Sequence, residues 1–153
     1  MAHQIDRPLP GVGAPGSARV AELLSRADAE LLAAQFSSEA WEQFSHAHLA
    51  AVRAGAAVVA ATGRPSGRRG PRSVWEMLDA VAPELARWSA YFAGAASLRS
   101  AVDAGRFDAI SPARAEQAVC AAEDFVDATR DLLDARADVV DERSARMLTV
   151  RAS

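Results

Sequence analysis

Between Ala118 and Val139 the chain keeps a strict helical rhythm. Ala118, Ala121, Phe125, Ala128, Leu132, Ala135 and Val139 are separated by alternating steps of three and four, and Asp124, Asp127, Asp131, Asp134, Asp138 and Asp141 repeat the same steps. At about 100° per residue the two sets fall on opposite faces of one helix. Such a helix must bury its apolar side against other helices and turn its aspartates to water. No strand-like alternation longer than four residues and no repeat unit occurs elsewhere. The expected fold is therefore all-α, a four- or five-helix up-and-down bundle.

Local signals divide the remainder. Ser17 follows the Pro15-Gly16 breaker, and Val20, Leu23, Leu24, Ala27, Leu31 and Ala34 then recur at helical spacing, which predicts a first helix over 17–35. Phe36 and Trp41 bracket Ser37 as a hydrophobic staple would, so a second helix is expected almost at once. Its stripe runs Trp41, Phe44, His48, Val52, Gly55, Val59. Gly63 to Arg72 holds three glycines and two prolines and reads as a loop. Ser73 and Glu76 form a capping box that opens a third helix, which Pro83 should split into a short and a longer part before Gly105 ends it. Ser111-Pro112, an N-cap followed by proline at the first helical position, opens the fourth. The resulting division is a flexible N-terminal tail over 1–16, one bundle over 17–140, and a C-terminal tail over 141–153.

Composition narrows the chemistry. The chain has 37 alanines against 40 larger apolar side chains, so its helices must approach closely to make a core. All 17 basic residues are arginine, which excludes a Schiff-base lysine and the lysine of a phosphate-binding P-loop. A net charge of −3 implies no general attraction to nucleic acid or anionic lipid. It averages unlike regions: Glu123 to Glu142 carries eight acids against two arginines, whereas Arg64, Arg68, Arg69 and Arg72 lie in nine residues without an acid. The one cysteine, Cys120, sits beside Glu123 and Asp124, which disfavour a thiolate, and no spaced cysteine and histidine set suggests a metal. With no apolar signal core and no run long enough to span a bilayer, a cytoplasmic protein without membrane attachment is expected.

Three constellations invite a functional reading. Gly11 to Gly16 matches G-x-G-x-x-G, but that motif needs a preceding strand, and Pro8 and Pro10 stand there instead; no cofactor is expected. His46, His48 and Arg53 could supply a general acid or base and a phosphate clamp, yet the two histidines lie about 200° apart on the helix and cannot serve one ligand together. A packed His48 and a surface His46, with Glu42 one turn before it, is the simpler expectation. Arg64, Arg68, Arg69 and Arg72 make the best anion site, because arginine forks match phosphate bidentately. The acidic face of the fourth helix could dock a basic protein partner. Trp75, Trp88, Tyr91 and Phe92 are expected in the core or at a dimer interface.

Ser45 to Pro65 (SHAHLAAVRAGAAVVAATGRP), with Pro71-Arg72-Ser73-Val74-Trp75-Glu76 and Ala82-Pro83-Glu84-Leu85, resembles small actinobacterial proteins of the HEPN superfamily, over about residues 17–135. The resemblance implies a HEPN-like bundle, often homodimeric, and a role linked to nucleic acid or to stress and toxin processes. Catalytic members of that superfamily are metal-independent ribonucleases with an arginine followed, after four to six residues, by a histidine. Here the residues at that distance after Arg130 are Ala135, Arg136 and Ala137, those after Arg136 are Asp141, Glu142 and Arg143, and no histidine follows His48. His48 and Arg53 occur in the reverse order and early in the chain. The sequence therefore points to a non-catalytic binding or regulatory module, with a divergent ribonuclease using His46, His48 and Arg53 or a protein-docking scaffold as alternatives.

Overall fold

The computed structural model describes residues 15–63 and 73–152. The Arg64 to Arg72 loop and all but the end of the expected N-terminal tail lie outside the described residues. Within them the chain forms α1 (Pro15–Phe36), α2 (Ala40–Thr62), α3 (Val74–Val81), α4 (Ala86–Gly94), α5 (Ala96–Asp103) and α6 (Pro112–Arg151), with single 3-10 turns at Pro83–Leu85 and Phe107–Ala109. No strand occurs among the described residues, in line with the all-α expectation.

α2 is the central element. It packs most extensively against α1, then α6, and also meets α3 and α5. Alanines make this possible: Ala47, Ala50, Ala51, Ala54 and Ala57 are fully buried, so helices approach α2 on several sides. Gly55 carries one close approach, since a Cβ there would lie 3.3 Å from Val74 Cγ2 and 3.5 Å from Trp75 Cζ3. Around this small-residue column sit the large side chains. Trp75 and Phe92 stack with centroids 5.4 Å apart, and Phe125 of α6 meets them at 5.9 Å each. Trp75 and Phe92 thus belong to the core, while Trp88 and Tyr91 are half-buried at its edge.

Several local signals act as written. Ser73 accepts a hydrogen bond from the Glu76 N–H, and Ser111 accepts one from the Arg114 N–H with Pro112 behind it. After α5, Gly105 adopts φ +86° while its N–H donates to the Val102 carbonyl and the Arg106 N–H to the Ala101 carbonyl, a Schellman closure. Pro83 ends α3 in a 3-10 turn.

Other expectations need correction. α1 begins two residues before the expected cap at Ser17. The staple does not form: Phe36 is 82% exposed, the Ser37 hydroxyl donates back to the Ala33 carbonyl of α1, and Glu39 is the N-cap of α2. The long part of the third helix is itself interrupted at Ala95, between α4 and α5. On α6 the buried line is Ala115, Ala118, Ala122, Phe125, Val126 and Thr129, with Leu132, Leu133 and Arg136 half-buried after it. The seam is therefore rotated: Ala122 and Thr129 lie in its buried centre and Ala121 and Ala128 on its half-buried flank, and Thr129 is admitted because its hydroxyl donates to the Val126 carbonyl. Finally, residues 141–151, expected as a tail, continue α6 without interruption.

Candidate functional site

The polar residues of α2 are sorted by the neighbours that the short α1–α2 connection and the α5 contact bring to them. His46 faces α1, where its Nδ1 lies 2.6 Å from Glu30 Oε2, both side chains partly exposed. Its partner is Glu30 across the helix pair rather than Glu42 along the same helix. His48 points the other way, into the aromatic core, with Phe44, Phe92 and Trp75 at 6.2, 6.1 and 6.4 Å between ring centroids. It is 8% exposed, and its Nδ1 has no hydrogen-bond partner. The His48 pKa is lowered to about 4, chiefly by burial and secondly by the nearby Arg99 cation, with Asp103 opposing them. The imidazole is thus neutral over the physiological range.

Arg53 follows His48 by five residues, which on an α-helix is about 140° around the axis. The fold does not converge these two side chains, and Arg53 makes no hydrogen bond or ion pair with a described residue. The cation that does act on His48 is Arg99 of α5, whose Nη1 donates to the Ser45 carbonyl at 3.3 Å and whose Nε donates to Asp103 Oδ1 at 3.1 Å. Sequence reading missed this group. Its only trace was the i, i+4 spacing of Arg99 and Asp103, which is common on solvated helices.

A second unanticipated arginine stands where α6 leaves the body. Arg136 donates to Thr62 Oγ1 at 3.0 Å and to the Val81 carbonyl at 2.9 Å, and it pairs with Glu84 at 3.3 Å. One guanidinium therefore ties the last residues of α2 and α3 to α6. Beside it opens a groove of about 800 Å³ lined by Ala61, Val81, Leu132, Leu133, Val139 and Val140.

The remaining sequence candidates fall as follows. Arg64, Arg68, Arg69 and Arg72 lie outside the described residues, between Gly63, φ +93°, at the end of α2 and the Ser73 cap of α3. Asp124, Asp127, Asp131, Asp134, Asp138 and Asp141 are all exposed. Arg130 of the same helix crosses to α1 and grips Asp28 bidentately at 2.9 and 2.6 Å, which pushes the arginine pKa up. Cys120 is a free, exposed thiol. Among the described residues no group of three or more histidine, cysteine or acidic side chains could hold a metal ion, and no helix is long and apolar enough to cross a membrane.

Comparison with known proteins identifies a family. The family profile HEPN_SAV_6107, a HEPN-like domain, matches residues 34–130, more than half of the chain. No curated protein and no solved structure matches. The matched span runs from the end of α1 through the buried part of α6.

Proposed function

The chain belongs to the HEPN family, and from that membership we propose that it is a non-catalytic, homodimeric binding or regulatory module that takes a nucleic-acid backbone on its Arg64 to Arg72 loop. The observation that carries the non-catalytic part is the division of the α2 residues. Metal-free RNA cleavage needs a proton-transfer group next to a phosphate clamp. His46 is engaged by Glu30, His48 is buried and neutral above pH about 4, and Arg53 projects about 140° away from His48. Arg99, the cation acting on His48, already serves Ser45 and Asp103. The absent arginine-to-histidine spacing supports the same conclusion from the sequence side.

For the binding part, four arginines without an acid form a concentrated anion-binding segment on a chain whose total charge is −3. Phosphate contacts of this kind release counterions, so affinity should fall steeply with salt. Replacing Arg68→Ala together with Arg69→Ala should weaken RNA or DNA binding and flatten that dependence. Absence of binding by the wild-type protein at low salt would sink this part. Turnover of RNA without metal that is lost in the His48→Ala, Arg53→Ala pair would instead establish the ribonuclease alternative. The row of exposed aspartates on α6 favours a further reading, a docking face for a basic protein, which a partner retained after nuclease treatment and released by Asp127→Asn with Asp131→Asn would support.

A further inference from the structure

Two arginines on the seam between α4 and α6 stand over aromatic rings and hold no acid. The Arg87 guanidinium carbon lies 4.0 Å from the ring centroid of Trp88, and the Arg114 guanidinium carbon lies 5.0 Å from that of Tyr91. Arg114 donates to neutral acceptors, the Tyr91 hydroxyl at 2.7 Å and Gln117 Oε1 at 2.6 Å. Arg87 is exposed and forms no hydrogen bond or ion pair with a described residue. Arg99, Arg130 and Arg136 differ from both, since each grips a carboxylate.

The core fixes the rings. Trp88 leans on Phe125 with centroids 6.0 Å apart, and Tyr91 meets Phe92 edge-on at 5.0 Å, which leaves both half-buried and partly open to solvent. Three residues apart on α4, they share one flank of that helix. α4 itself contains no acid. On α6, Glu116 lies about 160° around the axis from Arg114, and Asp124, about 80° around and about 15 Å further along, borders the face where the row of aspartates begins. The seam therefore offers planar π surface beside an unopposed cation, twice over.

That pairing selects an occupant. A phosphate or carboxylate alone needs only the guanidinium fork. Rings and guanidinium planes together suit a single-stranded nucleic acid, whose bases stack on both while its phosphates take the free N–H groups. A duplex hides its base faces and an acidic peptide has no bases to stack, so each would use the charge and leave the rings idle. The geometry points to the α4–α6 seam as a binding surface for single-stranded nucleic acid, read through Arg87, Trp88, Tyr91 and Arg114. It goes beyond the proposed function, in which the Arg64 to Arg72 loop takes the backbone by charge alone, and it uses different residues, so the two fail separately.

The test is fluorescence anisotropy on the full chain with a labelled oligoadenylate of about 12 nucleotides, as RNA and as DNA, against the same strand annealed to its complement. The wild type should bind the single strand at least about tenfold more tightly than the duplex. Arg87→Lys with Arg114→Lys keeps both charges and removes both planes; single-strand affinity should fall at least about fivefold, with duplex affinity and helical circular dichroism unchanged. Arg68→Ala with Arg69→Ala should instead weaken single strand and duplex alike. Asp124→Asn, which removes the bordering charge, should tighten the single strand. Ultraviolet crosslinking of a strand carrying 4-thiouridine should mark the tryptic peptide Trp88 to Arg99, in the wild type and in the loop variant. Equal affinity for single strand and duplex, or a lysine pair that leaves single-strand binding intact, would overturn this surface and leave the loop reading standing. A loop variant that binds as the wild type does, with crosslinks still at Trp88 to Arg99, would overturn the loop reading and keep the surface. Polyglutamate bound as tightly as the oligonucleotide, and lost when Arg87 and Arg114 become alanine but not lysine, would give the seam to an acidic protein instead.

Discussion

The two halves of α6 share one helix and one periodicity and meet opposite fates. Up to Thr129 the apolar line is buried on α2 and the aromatic core; beyond Arg136 the same line stands in water. Phe125 is 0% exposed and touches three aromatic rings, whereas Val140, fifteen residues later, is 61% exposed beside an open groove. Period and composition therefore state that a helix has an apolar side. They do not state whether the chain contains anything to cover it.

The largest effect that separates the halves should come from Phe125→Ala, which removes a buried ring from the proximal half and should cost about 3–5 kcal/mol in urea unfolding. A loss below about 1 kcal/mol would mean that the proximal half is no better packed than the distal one.

The next effect is on pH dependence, because only the proximal half faces a core dry enough to hold an imidazole neutral. The folded pKa of His48 is lowered to about 4 from an ordinary 6.5, so the unfolded chain takes up the proton first. Stability is then full above pH 6.5 and is lost progressively as pH falls from 6.5 towards 4, by about 1.4 kcal/mol per pH unit within that window. His48→Gln should remove that slope from urea midpoints measured across the window, leaving the carboxylate titrations of both proteins the same. An unchanged slope would show that water reaches His48.

A smaller effect belongs to the start of α6. Ser111→Ala deletes the acceptor for the Arg114 N–H and should cost about 1 kcal/mol, read as a lowered melting temperature. The smallest belongs to the distal half: in protein dilute enough to be monomeric, Val140→Asp should change stability by less than about 0.5 kcal/mol. A larger loss in the monomer would show that the groove is closed by the chain's own residues.

Sequence legibility followed the range of the interaction. The Ser73 and Ser111 caps, the Pro83 break and the Gly105 closure could be read because each depends on residues within one or two turns. The Phe36–Trp41 staple had the right spacing and failed, since Trp41 packs instead on Phe107, at 4.2 Å between centroids. The α6 seam was half legible: Ala118 and Phe125 lie in the buried line and Ala121, Ala128 and Leu132 on its half-buried flank, but Ala121 and Ala122 are the same residue type on adjacent faces, so the pattern could not tell which lies deeper. Thr129 and Arg136 were passed over as polar, although one satisfies its hydroxyl within the helix and the other reaches the ends of α2 and α3. For the candidate site, spacing alone separated His46 from His48, while Glu30 and Arg99 came from elements 16 and 51 residues away along the chain.

By itself, then, the sequence determined an all-helical chain, most of its helix starts and stops, the arginine-only cation set with its acid-free segment, and the departure from a ribonuclease motif. These rest on local backbone hydrogen bonding and on residue chemistry, which need no knowledge of neighbours. Only the tertiary structure decided which face of α6 is buried, what surrounds each histidine, and where, among the described residues, the apolar side of α6 passes from buried to exposed. Those outcomes depend on which helices share a boundary, and a boundary is set by the packing of the whole chain.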